Sequence, residues 1–276
     1  MYCYFNDEYV NDVLIHAADR GFLLGDGLFE TMFFKNKEIH SFKDHWSRLK
    51  TGLSVLNFQI NQTPEQIKQV IIELVRLNDL SEESVSIRLT ITRGSGPRGL
   101  LPPEQPIPTL LITTAVYKPI INSQYHLIIA KSTRRNQFSP LSRIKSLNYL
   151  DNILVKMEAK NHYCDDAIML NTSGNIACTS AANVFMITDD KVITPPITDG
   201  VLPGITRKKI MEFCKNTNIK CIETSIAIDD LKNCDSIFIT NSLIGIQSVN
   251  TIKEINNSLV HNHPIIDKLV SECVKK

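Results

Sequence analysis

Short stretches of this sequence combine residue types that chemistry needs. Lys145 precedes Ser146-Leu147-Asn148-Tyr149-Leu150, and Leu147, Leu150, Ile153, Leu154 and Met157 recur at helical spacing. The pattern predicts a helix from Ser146 to about Asn161 with that apolar face anchored in a core. A lysine at such a helix entrance meets the positive end of the backbone dipole, and partial burial disfavours its ammonium further. A neutral amine then becomes accessible near neutral pH, the condition for a Schiff-base lysine; an ordinary solvated lysine is the competing explanation. Val201-Leu202-Pro203-Gly204-Ile205-Thr206-Arg207 opens another helix, with Ile210, Phe213 and Cys214 pointing inward. Glycine beside a helix N-terminus, with the Thr206 hydroxyl at hand, makes a cradle for a phosphate, the alternative being a capped surface helix. Thr240-Asn241-Ser242 ends a strand with three polar residues in a row, suited to a ligand at a sheet edge or to a plain turn. Arg48 lies on an amphipathic helix, where it is a phosphate partner or a surface charge.

The elements that must position these residues are readable from periodicity. Ile39–Phe42 is short and extended, and His45–Leu56 places Trp46, Leu49, Leu53 and Leu56 at helical spacing. Thr63-Pro64-Glu65 starts a helix through Ile67, Val70, Ile71, Leu74 and Val75. Ser84–Thr92 alternates Val85, Ile87, Leu89 and Ile91 as a strand does, and Thr109–Val116 is a second such run beyond the Gly- and Pro-rich loop Arg93–Pro108. Proline and polar residues interrupt the pattern after Tyr117. We therefore expect a small N-terminal domain over 1–117, a linker at 118–124, and a larger domain over 125–276. The larger domain opens with a strand at Tyr125–Ala130. It also holds a hairpin-like pair, Ala167–Leu170 and Val184–Ile187, a helix after Gly204 and a strand at Ser236–Thr240.

Bulk properties exclude several classes. The 276 residues are 43% hydrophobic and 21% charged with a net charge of +1, an ordinary globular balance without the basic footprint of a nucleic-acid or membrane-surface binder. The seven cysteines are scattered and never in C-x-x-C spacing, so no metal site and no disulfide scaffold is expected and a reducing cytoplasm fits. There is no leader-like N-terminus and no stretch of ~20 apolar residues, so neither secretion nor a membrane span is expected.

Taken together, the motifs resemble the class IV aminotransferases. Those that carry the likeness are Asp19-Arg20-Gly21-Phe22, Gly25-Asp26-Gly27-Leu28-Phe29-Glu30-Thr31, His45-Trp46-Ser47-Arg48-Leu49, Arg93 to Gly99, Ile144-Lys145-Ser146-Leu147-Asn148, Ser180 to Phe185, Leu202 to Arg207 and Thr240-Asn241-Ser242-Leu243. They stand in the family's order over nearly the whole chain. The resemblance implies an α/β (α+β) architecture with the two-domain fold of D-amino-acid aminotransferases, fold type IV, and a homodimer with its active site between domains. It also implies pyridoxal 5′-phosphate held by Lys145, with Arg48, the Ile205 and Thr206 amides, Asn241 and Ser242 at the phosphate. Phe29, Thr31 and Arg98 are implied as substrate contacts for a small amine. The Gly25-Asp26-Gly27 turn is expected to serve backbone geometry rather than chemistry.

Within the family, D-amino-acid aminotransferases carry tyrosine where Phe29 stands and histidine where Leu100 stands. Branched-chain aminotransferases carry arginine at Phe33 and tyrosine at Leu150. The motifs around Phe29, Arg98, Lys145 and Thr240 are closest to aminodeoxychorismate lyases. The expected activity is therefore conversion of 4-amino-4-deoxychorismate to 4-aminobenzoate and pyruvate. A D-amino-acid or branched-chain aminotransferase and a degenerate cofactor-binding protein are the alternatives. The family's glutamate at the pyridine nitrogen is replaced by Cys178, which should weaken the ring as an electron sink and harm transamination most. Lys145 would take the proton from the carbon bearing nitrogen. Arg98 would meet a substrate carboxylate, and Arg93 is either a second such contact or a loop charge.

Overall fold

The computed structural model describes residues 1–119, 124–255, 259–260 and 263–274; of the linker expected at 118–124, residues 120–123 lie outside this set. The chain divides into two compact units, Met1–Pro119 with Ile144–Asn148, and Ile120–Arg143 with Tyr149–Lys276. The strip containing Lys145 thus packs with the N-terminal unit, although it lies well beyond any linear boundary near residue 120.

The first unit is an antiparallel sheet covered by helices. Among the described residues its strands are β1 (Cys3–Phe5), β2 (Glu8–Val10), β3 (Gly27–Lys35), β4 (Glu38–Ile39), β5 (Val85–Thr92) and β6 (Thr109–Val116), in the order β2-β1-β6-β5-β3-β4. The short helix α1 (Arg20–Leu24) precedes β3, and α2 (Phe42–Val55) and α3 (Pro64–Leu77) lie between β4 and β5. The alternation in β5 works as expected: Val85, Ile87, Leu89 and Ile91 are all buried while Arg88 is exposed. The buried residues join Leu49 and Leu53 of α2 and Ile67, Ile71 and Leu74 of α3 in one core. Each such side chain contributes ~1.5–3 kcal/mol by leaving water. Helix α3 begins with a reciprocal capping box, in which Thr63 accepts from the Gln66 amide and Gln66 accepts from the Thr63 amide.

The second unit is built on a mixed sheet. Its path runs β12 (Cys221–Glu223), β11 (Lys191–Thr194), β10 (Asn183–Thr188), β9 (Ile176–Thr179), β8 (Asp166–Leu170), β7 (His126–Ile129) and β15 (Thr251–Ile252), while β13 (Ser236–Asn241) pairs with both β10 and β14 (Gly245–Val249). The expected pairing of Ala167–Leu170 with Val184–Ile187 does not occur. Both segments are strands, but β9 lies between them and pairs with each; its run Ile176-Ala177-Cys178-Thr179 is buried throughout and too short to show a period. The rings of Phe185 and Phe238 stack at 4.9 Å across the β10–β13 register, in a cluster shared with Ile210 and Cys214 of α5 (Ile205–Asn216). Phe213, expected to point inward with them, is half-buried.

Helix α4 (Leu150–Asn161) departs most from expectation. It starts at Leu150 rather than Ser146, and it buries Asn152, Val155 and Ala159. Leu150, Ile153, Leu154 and Met157 form an exposed stripe instead, Leu150 being 75% exposed. Apolar spacing finds a face and not what covers it. Here the smaller Val155 and Ala159 share a core cluster with Ala167 and Met169 of β8. Among the described residues, no helix is long and apolar enough to cross a membrane and no His/Cys/Asp/Glu group is placed to hold a metal.

Candidate active site

Because α4 begins at Leu150, the helix dipole does not account for Lys145. Its environment comes from β3 instead. Phe29 donates its amide to the Lys145 carbonyl at 2.9 Å, Leu147 donates to the Gly27 carbonyl at 3.0 Å, and Leu28 and Ser146 form an antiparallel bridge. The strip is thus an extended segment laid against the start of β3. It comes so close that a Cβ on Gly27 would stand 2.8 Å from Leu147 Cδ1 and 2.4 Å from the Ile91 carbonyl oxygen. That explains the second glycine of Gly25-Asp26-Gly27 by space, not chemistry. The half-buried Lys145 places its Nζ 4.3 Å from the centre of the Phe29 ring, and the Arg88 guanidinium carbon is 3.9 Å from the same ring. Two cations on one aromatic face or edge set are each held by ~0.5–2 kcal/mol. Thr31 follows on the same side of β3, opposite Arg88 in register.

The other side of β3 holds an ionic cluster that sequence inspection did not pick out. Glu30 has the parity of Leu28 and Met32 and is 1% exposed. It accepts from Arg48 Nε at 2.8 Å, from Arg48 Nη2 at 2.7 Å and from His45 Nδ1 at 2.7 Å. Burial pushes the Glu30 carboxyl up, but these hydrogen bonds outweigh it and hold the group at about 2. Burial pushes the His45 imidazole down; Glu30 opposes that, while the charges of Arg48 and Lys145 reinforce it. A neutral imidazole facing a carboxylate must carry its proton on Nδ1. The signal was present in the sequence: one carboxylate in an apolar strand, and His45 and Arg48 at i,i+3 on one helix face. Arg48 is therefore no surface charge, and its guanidinium plane is fixed by a fork-to-fork pair.

Arg93 is a correction to the sequence-based candidates. Its Nε bonds Asp26 Oδ2 at 2.8 Å, its Nη2 donates to the Leu56 carbonyl at 2.7 Å, and its guanidinium carbon lies 4.7 Å from the Phe58 ring centre. It is buried, and its donors are committed to the fold. Arg98 lies on the exposed loop beyond it.

In the second unit the strand ends gather another set. Cys178 of β9 stands opposite Asn183 of β10, which stands opposite Thr240 of β13. Asn183 Nδ2 donates to the Leu202 carbonyl at 3.0 Å, and a Cβ on Gly204 would meet Asn183 Oδ1 at 1.8 Å. Only glycine fits there. As N-cap of α5 it offers no side chain to the helix, so no side-chain cap occupies the first-turn amides at Ile205 and Thr206. Both residues are buried, and this cradle suits a phosphate in size and in charge. Asn241 donates to the Ala181 carbonyl and its Oδ1 accepts from the Leu243 and Ile244 amides, so the side chain shapes the turn into β14; Ser242 follows, half-buried. Burial pushes the Cys178 thiol up against the pull of Arg135, leaving a neutral group near pH 7. An amine, which the first unit supplies, and a phosphate cradle, which the second supplies, are each of a type that pyridoxal phosphate takes. A neutral thiol does not fit its protonated ring nitrogen as a carboxylate would.

Known proteins resemble the chain over most of its length. The family model for class IV amino-transferases matches residues 27–252. A Methanocaldococcus jannaschii protein provisionally named a branched-chain-amino-acid aminotransferase is 31% identical, over 100% of this chain and 93% of its own. The aminodeoxychorismate lyase of Bacillus subtilis is 29% identical over 92% of this chain and 87% of its own. A Legionella pneumophila structure provisionally named a 4-amino-4-deoxychorismate lyase superposes with a TM-score of 0.87 at 30% identity, covering 94% of each chain.

The Glu30 cluster yields a signed pH dependence. A carboxyl at about 2 in the fold against an ordinary 4.5 stabilises fully above pH 4.5 and loses that contribution as pH falls toward 2. Glu30→Gln should lower stability at pH 7 by roughly 3 kcal/mol. In denaturant titrations the gap between parent and variant should close on acidification. Parallel curves would mean that Glu30 is not the ionised anchor.

Proposed function

Because the chain belongs to the class IV aminotransferases, and so is a pyridoxal-phosphate-dependent enzyme, we propose that it converts 4-amino-4-deoxychorismate to 4-aminobenzoate and pyruvate, the lyase step toward folate. The observation that carries this reading is the neutral, buried thiol of Cys178 at the position where the family places a glutamate. Full transamination depends on a strong electron sink; an elimination that expels an aromatic product is driven by aromatisation and tolerates a weaker one. Similarity to aminodeoxychorismate lyases in sequence and in fold supports the same choice. An aminotransferase is the second reading, favoured by the 31% identity to the Methanocaldococcus jannaschii protein. Against its branched-chain form, Phe33 is packed between the rings of His40 and Tyr117 at 5.3 and 5.7 Å and offers nothing to a carboxylate.

When bound, pyridoxal phosphate supplies the sink for electrons released at the carbon bearing nitrogen. In our proposal Lys145 would hold the cofactor, and its amine, once released by the substrate, would take the proton from that carbon and return one to the departing enolpyruvyl fragment. Arg48, oriented by Glu30 and His45, and the Ile205 and Thr206 amides receive the phosphate, together with the Asn241–Ser242 turn. Phe29 and Thr31 line the substrate's side of β3, and Arg98 meets a carboxylate. We place the protein in the cytoplasm as a homodimer, a state supported by the exposed stripe Leu150, Ile153, Leu154 and Met157; sedimentation as a monomer at micromolar concentration would refute the dimer.

Purified protein given aminodeoxychorismate should release 4-aminobenzoate, and borohydride should fix cofactor mass on the peptide containing Lys145. Attachment at another lysine sinks the site assignment, whereas correct attachment without 4-aminobenzoate sinks the activity. Cys178→Glu should increase slow 2-oxoglutarate-dependent transamination, since an added anion moves a neighbouring group's pKa by ~1–3. A half-reaction rate equal to the parent's, with the fold intact, would show that Cys178 does not face the ring.

A further inference from the structure

Arg20 is buried within the first unit, 4% exposed, and every polar atom of its side chain is spent. Its Nε bonds Asp26 Oδ2 at 2.8 Å, sharing that oxygen with Arg93. Its Nη1 donates to the Gly99 carbonyl at 3.1 Å and its Nη2 to the Leu100 carbonyl at 2.9 Å. The near end of the same loop is tied separately: the Arg20 amide donates to the Gly94 carbonyl, the Gly96 amide donates to the Ala18 carbonyl, and Asp19 bridges Ser95. Pro97 and Arg98 are the residues between the two ties. Beyond them Leu100 and Leu101 are exposed. Gly96 lets the arginine stem pass, since a Cβ there would stand 2.9 Å from Arg20 Cδ.

We infer that Arg20 is a positioning residue for substrate: by chelating the Gly99 and Leu100 carbonyls it fixes the loop backbone from which Arg98 meets the substrate carboxylate. This rests on the reading of Arg98 given above. A planar guanidinium spans Asp26 and two consecutive carbonyls at once, which a lysine ammonium does not. Asp26 makes the burial tolerable, because a buried guanidinium without a counter-charge is costly. The carboxylate-binding arginine is therefore displayed on a strap clamped from inside the unit, and the clamp sets its affinity without touching substrate.

The test uses the holoenzyme. Arg20→Lys should raise the KM for aminodeoxychorismate roughly tenfold, more than it lowers kcat. Hydrogen exchange at amides 98–101 should rise, while the cofactor fixed on Lys145 by borohydride stays at the parent level. Arg98→Ala should raise KM as well, and adding Arg20→Lys to it should cost little more, because the two act on one contact. Asp26→Asn, which keeps the shape and removes the counter-charge, gives a second variant with a smaller effect of the same sign, should Arg20→Lys fold poorly. Unchanged KM in both clamp variants overturns the inference, as does an Arg20→Lys effect that persists in full without the Arg98 side chain. An Arg98→Ala variant with the parent's KM overturns it too. Failure of the lyase reading is a separate result, the parent releasing no 4-aminobenzoate. The same KM comparison is then made with D-alanine as amine donor, whose carboxylate probes the same arginine.

Discussion

The chemistry of this protein hangs on a backbone pairing between two segments far apart in sequence. The strip around Lys145 exchanges hydrogen bonds with the first residues of β3, Phe29 giving its amide to Lys145 and Leu147 giving its amide to Gly27. Backbone bonds of this kind fix the main chain at the lysine, and the side chain's course then follows from the aromatic ring that β3 presents at its next outward position. A lysine held by its own main chain and by a ring face is ordered where the chemistry needs it. The pairing needs space that only Gly27 leaves, so a single missing Cβ in the strand underlies the placement of the reactive group.

Around that pairing, the first unit buries two groups of paired charges. Glu30 with His45 and Arg48, and Asp26 with Arg20 and Arg93, are two carboxylates each serving more than one partner. Buried ion pairs seldom add much net stability, because desolvation offsets their attraction. What they do impose is orientation. A guanidinium gripped through two nitrogens cannot rotate, so the arginine's remaining edge keeps a set direction. The second unit orients its cradle by neutral means, an asparagine amide bonded to the Leu202 carbonyl and a glycine pressed against it. To these it adds an ion pair, Arg207 of α5 with Glu223.

The periodic elements were legible in the sequence because local rules decide them. Helix α3 follows its cap and its apolar spacing, β5 and β6 follow their alternation, and α5 begins where Gly204 stands. What escaped was decided by partners distant in sequence. Glu30 reads as one polar residue in a strand until α2 is laid over it, and Arg93 reads as a loop charge until Asp26 and Leu56 close around it. Helix α4 is the sharpest case. Its large apolar residues suggested a core face, yet β8 receives its smaller ones, because close packing on a sheet rewards fit before size. The cysteine at 178 was legible as a departure from family pattern, but that burial pushes its thiol further up followed only from the structure.

The discontinuous first unit also limits how such a chain can be inherited. Residues 1–119 include the Glu30 cluster and the Arg20 clamp, but not the lysine strip, which returns from 144–148 with chain of the other unit on both sides. A recombination event that swapped the N-terminal segment as one cassette would pair a new β3 with an old strip, and a side chain at the Gly27 position or a misfit at Leu147 would break their contact. Exchange of an intact unit needs crossovers at several points together. Point substitution is then the easier route to a new substrate in this architecture, with the strip and its strand changing as a matched pair or not at all.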